Sequence, residues 1–194
     1  MTYKSIANNA QGLYKDRGSR FISFAFRVSN TQEVKEIVES LKKEHHAAKH
    51  HCYAYRIGAS VQEWRANDDG EPSQSAGRQI LASIDSAGVS DTLVVVVRYF
   101  GGILLGVPGL IKAYREASAQ ALENAGTTML TECVNFTLGF GYEKMSAVRA
   151  ALKSVKGASI VSQELDMQCT LKVSVPLSEI EDFKEKLKDY IKDT

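Results

Sequence analysis

Three carboxylates, Asp68, Asp69 and Glu71, lie close together in a segment that reads NDDGEPSQSAG. Carboxylate oxygens are the ligands that hard divalent cations prefer, although this spacing does not fit an EF-hand loop. Such carboxylates repel one another unless a cation, an arginine or a helix N-terminus compensates their charge. A ligand-binding role and structural salt bridges to Arg78 and Arg98 are therefore both open. We expect the arginines to compensate the acidic loop and assign no metal ligand.

A glycine-rich turn follows a run of β-branched residues in the sequence DTLVVVVRYFGGILLGVPGLIKAY, which starts at Asp91. The run Thr92–Phe100 does not alternate, which is typical of a strand buried on both faces in the middle of a sheet. The glycine spacing fits neither a Walker loop nor a dinucleotide fingerprint. The helix that follows would still offer free N–H groups and a positive dipole end to an anion. The alternative is a tight connection whose glycines only permit close packing. The candidate ligand or anion-binding residues are Arg78, Arg98, Gly101, Gly102, Gly106, Gly109 and Lys112.

Histidine and cysteine could provide a thiol nucleophile or a zinc site, and we predict neither. The strand period of two places His50 and Cys52 on one face of a predicted strand at His50–Ile57 and His51 on the other, but a catalytic Cys–His pair also needs a geometry that the sequence does not show. A buried cysteine commonly behaves as a small hydrophobic residue. All four histidines lie between His45 and His51, without the C-x-x-C spacing of a structural zinc site. No catalytic residue is assigned.

The composition is that of an ordinary globular protein. The 194 residues are 44% hydrophobic and 24% charged, with a net charge of +1, so overall charge does not demand a nucleic-acid partner. The three cysteines are odd in number and far apart, which favours a reducing compartment. The N-terminal sequence has no apolar signal core, and no run of ~18 apolar residues occurs. We expect a cytoplasmic protein that needs no cofactor and no membrane.

Hydrophobic periodicity predicts an α+β fold with two domains, residues 1–127 and 128–194. In the first domain, residues 1–17 are polar and are expected to be loosely ordered, apart from Tyr3, Ile6 and Leu13. The predicted elements are a strand at Arg20–Val28, a helix from Asn30 to His46, a strand at His50–Ile57, a short edge strand at Val61–Asn67, a helix at Arg78–Ala87, the central strand and a long helix from Leu110 to Ala125. The second domain alternates as β-α-β-β-α, a truncated ferredoxin-like unit. Its last helix is predicted to start at a capping box formed by Ser178 and Glu181.

The acidic loop and the glycine turn together resemble the IMPACT family, in its YigZ-like bacterial branch. That family carries a pattern like D-D-G-E-P-S-G-T-A-G-R-P-I-L, followed by V-V-V-V-R-Y-F-G-G-x-x-L-G-x-G-G-L-x-R-A-Y. The first pattern is matched by Asp68, Asp69, Gly70, Glu71, Pro72, Ser73, Ala76, Gly77, Arg78, Ile80 and Leu81. The second is matched by Arg98, Tyr99, Phe100, Gly101, Gly102, Leu105, Gly106, Gly109, Leu110, Ala113 and Tyr114. A family H-x-C-x-A-Y-R strand is similar to the segment that holds Cys52 and Arg56. The departures are Gln74, Ser75, Gln79, Pro108 and Lys112.

The resemblance implies a first domain like the second domain of ribosomal protein S5. It also implies a C-terminal domain like the last domain of translation factor G. Both of those relatives work on ribosomes and RNA. Eukaryotic IMPACT proteins are linked to translational control under stress, through an additional N-terminal domain.

Two hypotheses for function follow. The first is a non-enzymatic module with RNA or ribosome-associated factors as partners, contacting phosphates through the glycine turn and the basic residues. The second is a metal-dependent hydrolase or phosphoryl-transfer enzyme that uses the acidic loop. The first is favoured because no nucleophile–base pair is evident.

Overall fold

A computed structural model describes residues 2–59 and 62–192. The chain forms two compact units, one spanning Tyr3–Leu130 and the other containing the chain from Thr131 onward. Both units combine helices with antiparallel strands, which confirms the predicted α+β character. No helix among the described residues has both the length and the apolarity needed to cross a bilayer.

The first unit is built on a five-stranded sheet with helices on both faces. Its strands are β1 (Thr2–Ile6), β2 (Ala10–Asp16), β3 (Ser19–Arg27), β4 (His50–Ile57), β5 (Glu63–Asn67), β6 (Thr92–Tyr99) and β7 (Thr127–Thr131). Its helices are α1 (Thr31–Glu44), α2 (Gly77–Ala87) and α3 (Gly106–Ala125). The sheet order is β2-β3-β6-β4-β5 with antiparallel neighbours, and β1 pairs separately with β7. The predicted edge strand is therefore β5, although Val61 lies outside the described residues.

Strand β6 occupies the centre of this sheet, as its unbroken apolar run predicts. Val94 and Val96 pack into the core formed with α2 and α3. Leu93, Val95 and Val97 pack on the opposite face with α1. Side chains alternate between the two faces of a strand, so Arg98 lies on the same face as Val94 and Val96, the face covered by α2 and α3.

The prediction that residues 1–17 are loosely ordered is wrong. Strands β1 and β2 lie there, and the polar Ser5 is fully buried together with Ile6. Strands β2 and β3 are joined by a two-residue turn, Arg17–Gly18, in which both residues have positive φ (44° and 79°). Such a turn matches the twist of a β-hairpin. The exposed positions of β2 mix polar residues, Gln11 and Lys15, with the apolar Leu13, so its periodicity is weak.

Helix α3 begins earlier than predicted, at Gly106 rather than Leu110. Pro108 therefore lies in its first turn, where backbone N–H groups lack intrahelical partners and a missing N–H costs little. Gly106 itself has φ of 71°, a conformation that glycine adopts without strain.

The second unit contains the predicted β-α-β-β-α order. Its elements are β8 (Cys133–Gly141), α4 (Met145–Lys153), β9 (Ser159–Glu164), β10 (Gln168–Pro176) and α5 (Ile180–Leu187). The sheet order is β8-β10-β9, with α4 and α5 contributing to one buried core. The predicted capping box is wrong. A 3-10 turn precedes α5, and the Ser178 hydroxyl donates to the Glu179 side chain (3.0 Å) instead of capping the helix.

Candidate functional site

The acidic loop connects β5 to α2, and its first carboxylate caps that helix. Asp68 Oδ1 accepts hydrogen bonds from the backbone N–H groups of Ala76 (3.1 Å) and Gly77 (2.8 Å). Its Oδ2 accepts from the N–H of Gln74 (2.9 Å). The charge of Asp68 is therefore balanced by the positive end of the α2 dipole and by N–H groups that a helix start leaves unpaired.

The second carboxylate ties the loop to α1 and β4. Asp69 Oδ1 lies 3.1 Å from Lys42 Nζ, and its Oδ2 accepts a hydrogen bond from the His51 N–H (2.7 Å). His50 Nδ1 lies 2.9 Å from the Asp69 carbonyl oxygen. Asp69 has a positive φ of 40°, and these contacts hold the backbone in that uncommon conformation.

The third carboxylate forms a buried network with Arg98 and Tyr114. Glu71 accepts two hydrogen bonds from Arg98 Nη1, at 2.7 Å to Oε1 and 2.9 Å to Oε2. The Tyr114 hydroxyl donates to the same Oε1 at 2.7 Å. Arg98 is only 6% exposed, and its guanidinium lies 5.5 and 5.6 Å from the ring centres of Phe21 and Phe100. Its Nε is buried without a hydrogen-bond partner among the described residues.

Cys52 adjoins this network but is unsuited to nucleophilic attack. Its Sγ lies 3.0 Å from the Asp68 carbonyl oxygen and 3.3 Å from the Tyr114 hydroxyl, and the residue is fully buried. Burial raises the pKa of the Cys52 thiol far above its usual value, and the nearby carboxylates raise it further. Burial likewise raises the pKa of the Tyr114 phenol. Both groups stay protonated and act as hydrogen-bond donors.

The loop carboxylates thus have one of the two arginine partners expected from the sequence. Arg98 contacts Glu71, but Arg78 is exposed at the start of α2, and the cation beside Asp69 is Lys42 instead. No group of three or more histidine, cysteine or acidic side chains in the described part of the chain is arranged to hold a metal ion.

The glycines of the turn have individual structural roles. A Cβ atom on Gly101 would lie 2.0 Å from the backbone carbon of Gly18 and 2.2 Å from the nitrogen of Ser19. Gly101 also donates its N–H to Ser19 Oγ (3.1 Å), so it packs directly on the β2–β3 hairpin. Gly102 has a positive φ of 88° with open space around it, and Gly109 lies against Leu105 in the first turn of α3.

The acidic loop and the glycine turn line one open cleft of about 430 Å³. Glu71 and Arg98 contribute to its polar side together with Lys49 and His50. Its apolar side is formed by Phe100, Leu104, Leu105, Val107 and Leu110. Of the predicted anion-binding residues, Arg98 and Gly106 reach this cleft, whereas Arg78 and Lys112 are exposed on the helices outside it.

Comparison with known proteins identifies the family. The sequence profile described as the Impact N-terminal domain matches residues 17–122. The chain belongs to the IMPACT family. The Escherichia coli IMPACT family member YigZ is 37% identical over 174 residues, which cover 89% of this chain and 85% of YigZ. A Saccharomyces cerevisiae IMPACT homolog is 33% identical over 57% of this chain and 44% of its own. A crystal structure described as a hypothetical protein has a TM-score of 0.75 and 34% identity, covering 97% of this chain and 92% of its own.

The IMPACT segment contains the whole cleft, because every cleft residue lies between Lys49 and Leu110. Sequence reasoning missed the basic residues of the rim and the apolar wall. A usable signal was present in the turn, where four large apolar residues share the spacing of a helix face but are interrupted by Gly101, Gly102 and Gly106. They are Phe100, Ile103, Leu104 and Val107, and all four are exposed.

Proposed function

We propose that this protein is a non-enzymatic module of the translation machinery that binds RNA through a basic surface on α2 and α3. This basic surface consists of Arg78, Lys112 and Arg115. The S5-like and ferredoxin-like character implied for the two units belongs to the same proposal, as does a cytoplasmic location. Membership of the IMPACT family supports the translational role, because eukaryotic members of the family are linked to translational control.

The observation that carries the proposal is the contrast between the acidic and the basic residues. The three loop carboxylates are all engaged by protein partners, whereas Arg78 and Lys112 are exposed and form no ion pair with another described residue. Arg115 donates to the neutral side-chain oxygen of Gln79 (2.7 Å), which bridges α3 to α2 but leaves its charge uncompensated. Counting the neighbouring Glu116, the surface carries a net charge of +2 and suits phosphate contacts.

The same contacts weaken the enzymatic alternative. A metal-dependent hydrolase would need the loop carboxylates as ligands or bases. Asp68 is used as a helix cap, Asp69 is tied to Lys42, and Glu71 is buried against Arg98. Freeing any of them would cost part of the structure that positions the loop.

Fluorescence anisotropy with a labelled fragment of ribosomal RNA tests the proposal. The Arg78→Gln, Lys112→Gln double variant should bind more weakly by about tenfold or more, because each lost phosphate contact removes a favourable counterion-release term. Both residues are exposed, so the melting temperature should stay close to that of the wild-type protein.

The matched control changes two exposed lysines of α1, on the opposite face of the sheet. The Lys35→Gln, Lys43→Gln variant loses the same net charge but leaves the basic surface intact. It should bind RNA almost as tightly as the wild-type protein. Equal weakening in both double variants would show that only overall charge matters and would contradict the assignment of this surface.

A further inference from the structure

The polar side of the cleft contains an arginine whose hydrogen-bonding capacity is only partly used. Arg98 contacts Glu71 through Nη1 alone, and Nε is buried without a partner in the described structure. A buried donor without a partner is costly, so it is normally satisfied by another group. The planar edge formed by Nε and Nη2 of an arginine matches the two oxygens of a carboxylate.

A helix N-terminus and a lysine add positive potential at the same place. The 20-residue helix α3 begins at Gly106, which lines the cleft, and its preceding residue Leu105 provides no side-chain cap. Helix α2 differs, because Asp68 already occupies its N-terminus. Lys49 adds a cation at the rim, whereas the negative charge of Glu71 is taken up by Arg98 and Tyr114. Because the charges of Arg98 and Glu71 offset each other, the net positive potential of the cleft comes from Lys49 and the α3 N-terminus, and it favours an anion.

The opposite wall of the cleft is apolar and accessible to solvent. Phe100, Leu104 and Val107 are 51%, 80% and 46% exposed. The aliphatic side chains of Leu104 and Val107 offer no hydrogen bonds to the edges of a nucleobase, but they can cover a hydrocarbon group, and the Phe100 ring lies against the Arg98 guanidinium. The volume of about 430 Å³ is within the range of small-ligand sites.

We propose that this cleft binds a carboxylate attached to an aliphatic group, with the carboxylate at Arg98 and the α3 N-terminus and the hydrocarbon against Leu104. A free aliphatic acid and the C-terminal residue of a polypeptide share this chemistry. The proposal concerns a different surface from the one assigned to RNA, so either can fail without the other.

The test uses N-acetyl-L-leucine as the probe, with binding followed by two-dimensional NMR of the full-length protein. Shifts should be confined to residues around the cleft and should saturate. N-acetyl-L-leucinamide, which lacks the carboxylate, should bind at least tenfold more weakly, since a charge-assisted hydrogen bond is lost. N-acetylglycine, which lacks the hydrocarbon, should also bind more weakly. Equal binding of the acid and the amide, or tighter binding of adenosine monophosphate, would overturn the proposal.

Longer peptides distinguish a free aliphatic acid from the C-terminus of a polypeptide as the source of the carboxylate. A peptide with a free C-terminal leucine that binds more tightly than N-acetyl-L-leucine would assign the site to polypeptide ends. Equal affinity would assign it to a free acid. An amidated form of the peptide should lose affinity in either case.

Matched variants in the turn test the position of the ligand without disturbing the core. Leu104→Ser should weaken binding roughly three- to tenfold because it removes apolar contact area. Ile103→Ser is the control, since Ile103 is an exposed apolar residue of the same turn that does not line the cleft. Equal effects of both changes would contradict the proposed position. The Arg98→Met, Glu71→Gln double variant should abolish the difference between acid and amide; where it does not fold, the Leu104 and Ile103 pair decides.

Discussion

At the scale of single residues, the ion pair between Arg98 and Glu71 is the main electrostatic feature of the first unit. Both side chains are nearly inaccessible to solvent, so each charge depends on the other for compensation. Breaking such a pair by changing one partner costs far more than replacing both partners by neutral groups.

Changing Glu71 alone should therefore destabilise the protein strongly. We expect Glu71→Gln to lower the free energy of unfolding by about 3 kcal/mol, because Arg98 would remain charged and buried. Adding Arg98→Met should recover most of that loss. Urea denaturation of Glu71→Gln, Arg98→Met and the double variant, compared with the wild-type protein, forms the required double-mutant cycle. Additive losses in the double variant would show that the two side chains act independently.

His51 should make stability depend on pH. Burial lowers the pKa of His51, and the nearby Asp69 carboxylate opposes this effect. Because the folded state holds the neutral imidazole, the unfolded state binds more protons below its own pKa of about 6.5. The stability contributed by His51 is complete above that pH and is lost as the pH falls through this region towards the folded-state pKa.

The measurement is the free energy of unfolding between about pH 7.5 and pH 5. His51→Gln should flatten the fall in stability, and the exposed His46→Gln should leave it unchanged. An equally steep profile in His51→Gln would refute the assignment.

At the scale of elements, the glycine turn packs against the β2–β3 hairpin through Gly101, and its apolar residues form one wall of the cleft. Gly101→Ala should cost about 3 kcal/mol or more, because the new methyl group would overlap the Gly18 and Ser19 backbone. Gly102→Ala should cost only about 1 kcal/mol, the penalty of a positive φ in open space. Thermal denaturation compares the two variants, and a larger loss in Gly102→Ala would reverse these roles.

The acidic loop should not respond to divalent cations. Its carboxylates already have protein partners, so magnesium or manganese should leave the melting temperature unchanged in the wild-type protein and in Asp69→Asn. Asp69→Asn should lower stability with or without metal. A saturable, metal-dependent rise in melting temperature that is lost in Asp69→Asn would instead indicate a bound cation.

Sequence patterns predicted those elements whose burial requires a clear pattern of apolar residues. The run through Val94 and Val97 identified the central strand, and the glycine after Ala87 identified the end of α2. Strand β2 was missed because its exposed face includes Leu13 and its buried position is Gly12, and its pairing depends on the Arg17–Gly18 turn. The contact between Lys42 and Asp69 joins residues far apart in the chain, so no local pattern contains it.

At the scale of the whole molecule, the chain divides into two compact units at about Thr131, and we propose that they correspond to the predicted domains 1–127 and 128–194. The cleft and the basic surface both lie in the first unit, on or beside α2 and α3. We propose that the basic surface attaches the protein to RNA of the translation machinery.

Cosedimentation with purified ribosomes at increasing salt concentration tests this attachment to RNA. The wild-type protein should sediment with ribosomes at low ionic strength and be released as salt rises, because phosphate contacts release counterions. Arg78→Gln, Lys112→Gln should be released at lower salt, whereas Lys35→Gln, Lys43→Gln should follow the wild-type curve. Failure of the wild-type protein to sediment with ribosomes at any salt concentration, or identical release of both double variants, would contradict the account.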